Sequence, residues 1–219
     1  MRLTIINGSP RGIKSNSMLL LDRFVEGFTS TPGNTTEVHH LALKGGQEAA
    51  TLAYSGAEAV LLAFPLYSDA MPSIVKAFIE SLEPLQGKGG NPPMAFLIQC
   101  GFPEAFHLRT LERYLVRLTQ RLGSRHLGTM LRGGVEGIRF MPPRMTRKLY
   151  AQMRQFGVEF GSTGAFDAKQ LRKFSGRERF RGLGQVVLRL VIAGGIANSF
   201  WNNQLKRHGA YDKRYDAPY

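Results

Sequence analysis

Residues 3–25 constrain the fold more than any other stretch, because they read as strand, loop and helix in immediate succession. Leu3-Thr4-Ile5-Ile6-Asn7 is a short apolar run of the kind a buried parallel sheet uses, and Met18, Leu21, Val25 and Phe28 recur at the spacing of one buried helical face. Between them, Gly8-Ser9-Pro10-Arg11-Gly12-Ile13-Lys14-Ser15-Asn16-Ser17 is suited to an anion. Its glycines admit close backbone approach, Ser9, Ser15, Asn16 and Ser17 are short donors, and Arg11 and Lys14 add positive charge. All fall where the unpaired N–H groups and the dipole of a helix N-terminus favour a phosphate. A strand-to-helix turn rich in Ser and Gly for turn and capping reasons alone is the plain alternative.

Spacing excludes two other phosphate loops. A P-loop requires G-x-x-x-x-G-K-[ST], but the sixth position counted from Gly8 is Ile13; a dinucleotide fingerprint requires G-x-G, but Gly8 is followed by Ser9-Pro10. What remains is a mononucleotide-type loop.

Further along, Thr36 to Leu41 reads as a second strand, with His39 and His40 on opposite faces and so unable to share one metal there. Lys44 to Gly56 is a polar, Ala-rich link, part helical, and Ala59 to Phe64 a third strand ending in Pro65-Leu66-Tyr67-Ser68-Asp69-Ala70-Met71-Pro72. Pro72 suits the first position of a helix that buries Ile74, Phe78 and Leu82 and pairs Lys76 with Glu80. Met94 to Gln99 is a fourth strand, followed by Cys100-Gly101-Phe102-Pro103-Glu104 and a helix to Leu122 with Phe106, Leu111, Leu115, Leu118 and Leu122 inward. Arg109, Arg113, Arg117 and Arg121 form a ridge on that helix, of the kind that is usually a solvated face. A fifth strand, His126 to Leu131, opens into Arg132-Gly133-Gly134-Val135-Glu136-Gly137. Strands alternating with helices define an open parallel α/β sheet, and right-handed crossovers bring the loops at Gly8, Pro65, Cys100 and Gly133 to one edge.

The chain of 219 residues has room for one ordinary domain and an appendage, and its net charge of +13 is unevenly placed. Residues up to Leu131 hold 12 Lys and Arg against 10 Asp and Glu; those from Arg132 onward hold 17 against 6. Residues 1–137 are therefore expected to form the sheet domain, and 138–219 a basic helical extension. Leu183 to Trp201 reads as a helix apolar nearly all round, expected to be buried on the sheet or in a homodimer interface. A single cysteine, Cys100, excludes an intramolecular disulfide and a cysteine-ligated cluster. No secretory signal is expected after Arg2, and the longest apolar run, Val186 to Ala197, is too short to span a bilayer. A soluble, cytoplasmic protein without a transmembrane segment is expected.

Gly8-Ser9-Pro10-Arg11 with Ser15-Asn16-Ser17, Pro65-Leu66-Tyr67 with Met71-Pro72 and Lys76, and Cys100-Gly101-Phe102-Pro103-Glu104, each after its strand, resemble the NAD(P)H-dependent FMN reductase family. The resemblance covers about the first 135 residues. It implies a flavodoxin-like sheet ordered 2-1-3-4-5 with FMN in the crevice. It also implies that Ser9, Arg11, Ser15, Asn16 and Ser17 hold the FMN phosphate, that Pro65, Leu66, Tyr67 and Ser68 lie along the isoalloxazine, and that Gly101 and Phe102 approach its pyrimidine edge. The related iron-sulfur flavoproteins carry a cysteine cluster before the third strand; residues 47–59 contain no cysteine here.

The expected function is thus a ping-pong oxidoreductase that passes electrons from NAD(P)H through FMN to a small acceptor such as a quinone or free flavin. The protein supplies no catalytic acid or base of its own, the chemistry residing at the flavin N5. Arg11 or Arg132 near the mouth would favour NADPH, and the extension would roof the flavin edge, with Phe200 and Trp201 lining the site. Two alternatives stand beside this: a non-enzymatic carrier of flavodoxin type, and a basic protein binding nucleic acid or an anionic membrane surface, although no nucleic-acid module is recognisable.

Overall fold

The computed structural model describes residues 1–193 and 198–217. Five strands, β1 (Arg2–Asn7), β2 (Thr35–His40), β3 (Ala59–Pro65), β4 (Met94–Gln99) and β5 (His126–Arg132), form one sheet ordered β2-β1-β3-β4-β5. Every pairing is parallel, with Leu3 opposite Thr36 and Ala59, and Ala63 opposite Leu97. β3 and β4 are buried along their whole length, which is why they read as unbroken apolar runs; β2, at the edge, is polar and largely open. This is the flavodoxin-like α/β architecture that the sequence implies.

The helices are α1 (Asn16–Phe28), α2 (Gly46–Ser55), α3 (Ser73–Ser81), α4 (Phe106–Leu122), α5 (Pro143–Thr163), α6 (Ala168–Ser175), α7 (Leu183–Ala193) and α8 (Ser199–Arg207). On one side of the sheet Tyr54, Phe78 and Leu115 from α2, α3 and α4 pack on Ile6, Leu62, Phe96 and Ile98; on the other, Phe24, Phe28, Phe156 and Phe160 from α1 and α5 pack on Leu3, Ile5, Leu61 and Leu97. α6 lies beside the edge strand β5, and the Phe166 N–H donates to the Leu127 carbonyl (3.2 Å).

Several inward positions differ from those expected. α1 buries Leu20, Leu21, Phe24 and Phe28, leaving Met18 and Val25 half-buried, because it is packed from two sides, by the sheet and by α5. α3 buries Val75, Phe78 and Ile79 rather than Ile74, and Pro72 is its cap rather than its first helical residue. α4 buries Leu108, while Phe106, on its first turn, is half-buried against the His107 ring (3.9 Å between centroids). The expected Lys76–Glu80 pair forms.

Met1–Glu178 is one compact unit and Arg179–Tyr219 a second, so the first extends past the boundary expected at 137/138. The reason is an apolar stripe of Leu149, Met153, Phe156 and Phe160 on the basic helix α5, which completes the core beside α1. The second unit holds α7 and α8, and a turn in which Tyr211 lies between Lys206 and Arg214 (4.8 and 4.0 Å to the ring centroid). The apolar helix expected over Leu183 to Trp201 is described as α7 and, beyond residues outside the described set, α8. Leu183, Val186, Val187 and Leu190 of α7 are exposed in the single chain. Among the described residues no helix is long and apolar enough to cross a membrane.

Candidate functional site

Four loops meet at the C-terminal edge of the sheet, following β1, β3, β4 and β5. The first is the most tightly held. The fully buried Asn7, last residue of β1, donates through Nδ2 to the Gly12 carbonyl (2.9 Å) and to Nδ1 of His40 (3.1 Å), and its Oδ1 accepts from the Ser9 N–H (3.1 Å). Burial, and secondarily the charge of His39, push the His40 pKa down, which favours the neutral ring that accepts this bond. Gly12 adopts φ +55°, a conformation glycine takes without strain, and closes the short 3-10 turn Gly12–Lys14. Gly8 lies so close to α3 that a Cβ there would stand 2.3 Å from Val75 Cγ2.

The loop delivers the chain into α1 with Ser15 as N-cap, its hydroxyl accepting from the Met18 N–H (3.2 Å). Arg139 reinforces this from outside by donating to the carbonyls of Lys14 (2.7 Å) and Ser15 (3.3 Å). Ser9, Ser15, Asn16 and Ser17 are all buried around the helix start. The Asn16 amide donates to the carbonyls of Val135 (3.0 Å) and Glu136 (2.9 Å), so its side chain ties this loop to the one after β5. Arg11, expected to face a phosphate, pairs with Glu136 (2.9 Å) across the same gap. Gln99, at the end of β4, approaches the Ser17 hydroxyl through Nε2 (3.5 Å), and its buried Oε1 has no partner among the described residues.

The loop after β3 is built differently. Leu66 is anchored by its N–H to the Gln99 carbonyl (2.8 Å), and Tyr67 and Ala70 then exchange two backbone hydrogen bonds (2.9 Å each) around a tight turn. Ser68 (φ +46°) and Asp69 (φ +62°) occupy the left-handed region there, a local strain on non-glycine residues, and Tyr67 is 42% exposed. After β4, Gly101 and Phe102 are exposed, the Phe102 ring stacks on His107 (4.3 Å), and its carbonyl accepts from the Gly134 N–H (2.9 Å). Pro65 and Leu66 are buried at the strand end.

All the residues singled out from sequence, Ser9, Arg11, Ser15, Asn16, Ser17, Pro65, Leu66, Tyr67, Ser68, Gly101 and Phe102, therefore stand at this one edge, on its loops or, for Asn16, Ser17 and Pro65, at the adjoining ends of α1 and β3. Arg132 does not open toward it: its guanidinium lies over the Phe174 ring (5.3 Å) and donates to the Phe174 carbonyl (3.0 Å). The side chain of Phe200 lies outside the described residues. Cys100 is buried, with its pKa pushed up to about 11, so its thiol stays protonated at neutral pH. Sequence reasoning missed Asn7, Gln99, Glu136 and Arg139. An Asx residue ending a strand before a Gly-Ser loop was a usable signal for Asn7; the others act across 82 to 125 residues of chain. Among the described residues no group of three or more His, Cys, Asp or Glu is placed to hold a metal.

The flavodoxin-like fold family profile matches residues 1–83. No curated protein matches the sequence. Solved structures that share the fold include an FMN-dependent NADH-azoreductase from Bacillus anthracis in complex with FMN (13% identity, TM-score 0.56, 74% of this chain and 100% of that one). They also include an NADPH-quinone reductase from P. pentosaceus (16%, 0.54, 72% and 98%) and an NAD(P)H:quinone oxidoreductase from Methanothermobacter marburgensis (18%, 0.55, 73% and 96%). The chain is a flavodoxin-like α/β protein, and the resemblance drawn from its loops coincides with the names these structures carry.

Proposed function

We propose that this protein is a cytoplasmic FMN-dependent oxidoreductase that takes electrons from NAD(P)H and passes them to a small acceptor such as a quinone or free flavin. The observation that carries the reading is the β1–α1 loop: an N-terminal helix end capped by Ser15, cinched by Asn7, and flanked by two more loops at the point where strand order reverses between β1 and β3. The residues fit FMN. Ser9, Ser15 and Ser17, with the backbone N–H groups of the first turn of α1, would hold the phosphate; Asn16 contributes its backbone, its amide being engaged with residues 135 and 136. Arg11 reaches the phosphate by exchanging its exposed pair with Glu136, a pair whose loss costs little in water. Pro65, Leu66, Tyr67 and Ser68 would border the ring, with Gly101 and Phe102 toward its pyrimidine edge.

When bound, FMN would supply the redox chemistry between NAD(P)H and the acceptor. The chain's own contribution is to fix the cofactor by its phosphate and leave the ring side open where Tyr67 and Phe102 are exposed, so that donor and acceptor exchange at one place. A homodimer is part of the proposal, supported by the exposed apolar residues of α7, which a second copy would cover; a monomeric mass by light scattering at micromolar concentration refutes it.

The test is the visible spectrum of the purified protein before and after anaerobic addition of NADPH, then NADH. A yellow protein bleached by either nucleotide supports the reading and identifies the donor. Bound flavin that neither nucleotide bleaches indicates a carrier, and no flavin after soaking in FMN overturns the proposal.

A further inference from the structure

A cavity of about 900 Å³ lies between α1, α5 and the segment that leads into α5. Its volume is that of a small-molecule site. Leu19, Ile138, Met141 and the Tyr150 ring give it apolar walls, and five arginines ring it: Arg23, Arg139, Arg144, Arg147 and Arg154. The one carboxylate in its lining, Glu26, is already paired with Arg23, which also lies over the Tyr150 ring (5.3 Å). Arg139 is committed to the carbonyls of Lys14 and Ser15. Arg144, Arg147 and Arg154 have no hydrogen-bond or ion-pair partner among the described residues.

Three uncompensated guanidiniums on one side of a groove repel one another, and nothing in the groove offsets them. A guanidinium is the side chain best shaped to hold phosphate or carboxylate in two parallel hydrogen bonds. Arg144 and Arg147 stand near one end of the 143–154 stretch and Arg154 about 10 Å further along the helix, so their long side chains must converge to meet one head group, leaving the apolar walls to the ligand's body. A nucleic acid backbone would leave those apolar walls uncovered, and a flat bilayer would not enter a concave groove. We infer that the α1–α5 groove binds an anionic amphiphile, a single molecule with an apolar body and a phosphate or carboxylate head held by Arg144, Arg147 and Arg154. None of the residues assigned to FMN lines the groove; Arg139 in its wall also bonds the β1–α1 loop, so the inference is tested on Arg147 and Arg154, which do not.

Octyl phosphate, titrated calorimetrically below its micelle threshold into the full-length protein, is the probe, with octyl glucoside (same tail, no charge) and inorganic phosphate (charge, no tail) as comparators. Saturable binding of one octyl phosphate per chain is expected, with neither comparator binding comparably. R147E and R154E, both exposed changes, should each weaken it by about tenfold. R117E, on α4 across the sheet, should leave it unchanged, and circular dichroism should show all three folded. Equal binding of octyl glucoside would reduce the groove to an apolar patch, and equal binding of inorganic phosphate to a bare anion site. Unaltered binding by both groove variants would place the ligand elsewhere. A dimer that forms through the groove and is abolished by R147E would make a second copy its occupant. Each of these outcomes overturns the inference.

Discussion

On one side of the sheet α2, α3 and α4 rest on the strands through side chains, mostly aliphatic, with one edge contact between Tyr54 and Phe78. On the other side α1 and α5 come together until backbone meets backbone: a Cβ on Gly27 would stand 1.9 Å from the Arg154 carbonyl oxygen, and one on Gly157 2.0 Å from that of Phe24. Around that contact Phe24, Phe28, Phe156, Phe160 and Phe166 form a continuous cluster of rings. The difference matters because α1 also carries the proposed phosphate loop at its N-terminus. A helix clamped along its length by a glycine contact cannot tilt, so the loop it begins is held in place from behind. The α2–α3–α4 side touches that loop where Val75 of α3 packs on Gly8, and otherwise supplies stability through the strands.

The strongest way to break this comparison is Gly157→Ala. Overpacking a core ordinarily costs about 1–3 kcal/mol, but this methyl would meet helix backbone, which cannot rotate away, so a loss above about 4 kcal/mol in urea unfolding is expected, with FMN affinity falling as well. Leu115→Ala, on the opposite side, removes a fully buried side chain of α4 and should cost about 3 kcal/mol by cavity formation, with FMN affinity unchanged in the protein that remains folded. If both substitutions weakened FMN equally, the two sides would not differ in the way argued.

Asn7→Ala sharpens the contrast at the loop itself. It strands the Gly12 carbonyl, the Ser9 N–H and the His40 ring in a buried site, and should cost about 2 kcal/mol of stability. Its effect on FMN binding, read by fluorescence quenching, should be larger than that of any side-chain truncation on α4, because its amide bonds the loop directly at Gly12 and Ser9.

Much of this was legible in the chain. The parallel α/β sheet follows from strands alternating with helical segments, and the loops at one edge follow from crossover handedness; the order 2-1-3-4-5 came only with the family resemblance. The cap and turn of the β1–α1 loop were legible from Ser15 and the glycines, because cap and loop chemistry are local. What escaped was the far side of the core. The high charge of residues 138–178 drew that segment outside the domain, although Leu149, Met153, Phe156 and Phe160 sit at helical spacing. Gly157 and Gly161 were equally visible, but only the partner helix shows that they mark close approach. Arg11 illustrates a different limit: its type was read correctly, yet Glu136, with which it pairs, lies 125 residues away and no local pattern connects the two.

The smallest expected effect lies where the two sides of the sheet are tied around its β5 edge. Arg109 of α4 bonds Glu178, beyond α6, together with Glu112 and the Ser175 hydroxyl, and the Ala105 N–H donates to the Arg177 carbonyl (2.9 Å). The hydrogen bond from Arg109 holds the Glu178 carboxyl below its usual range. A carboxylate depressed in the folded state stabilises the fold above its unfolded pKa, and that contribution is lost as pH falls through the depressed value. Glu178→Gln should therefore melt lower than the parent at pH 7, by about 2 °C or less because Glu178 is half-exposed, and the two curves should converge as pH drops below about 4. Since the backbone bonds at residues 105 and 106 survive the change, FMN affinity should not move. A deficit that persisted at low pH would mean that packing of the 175–178 segment, rather than the ion pair, joins the two sides of the sheet.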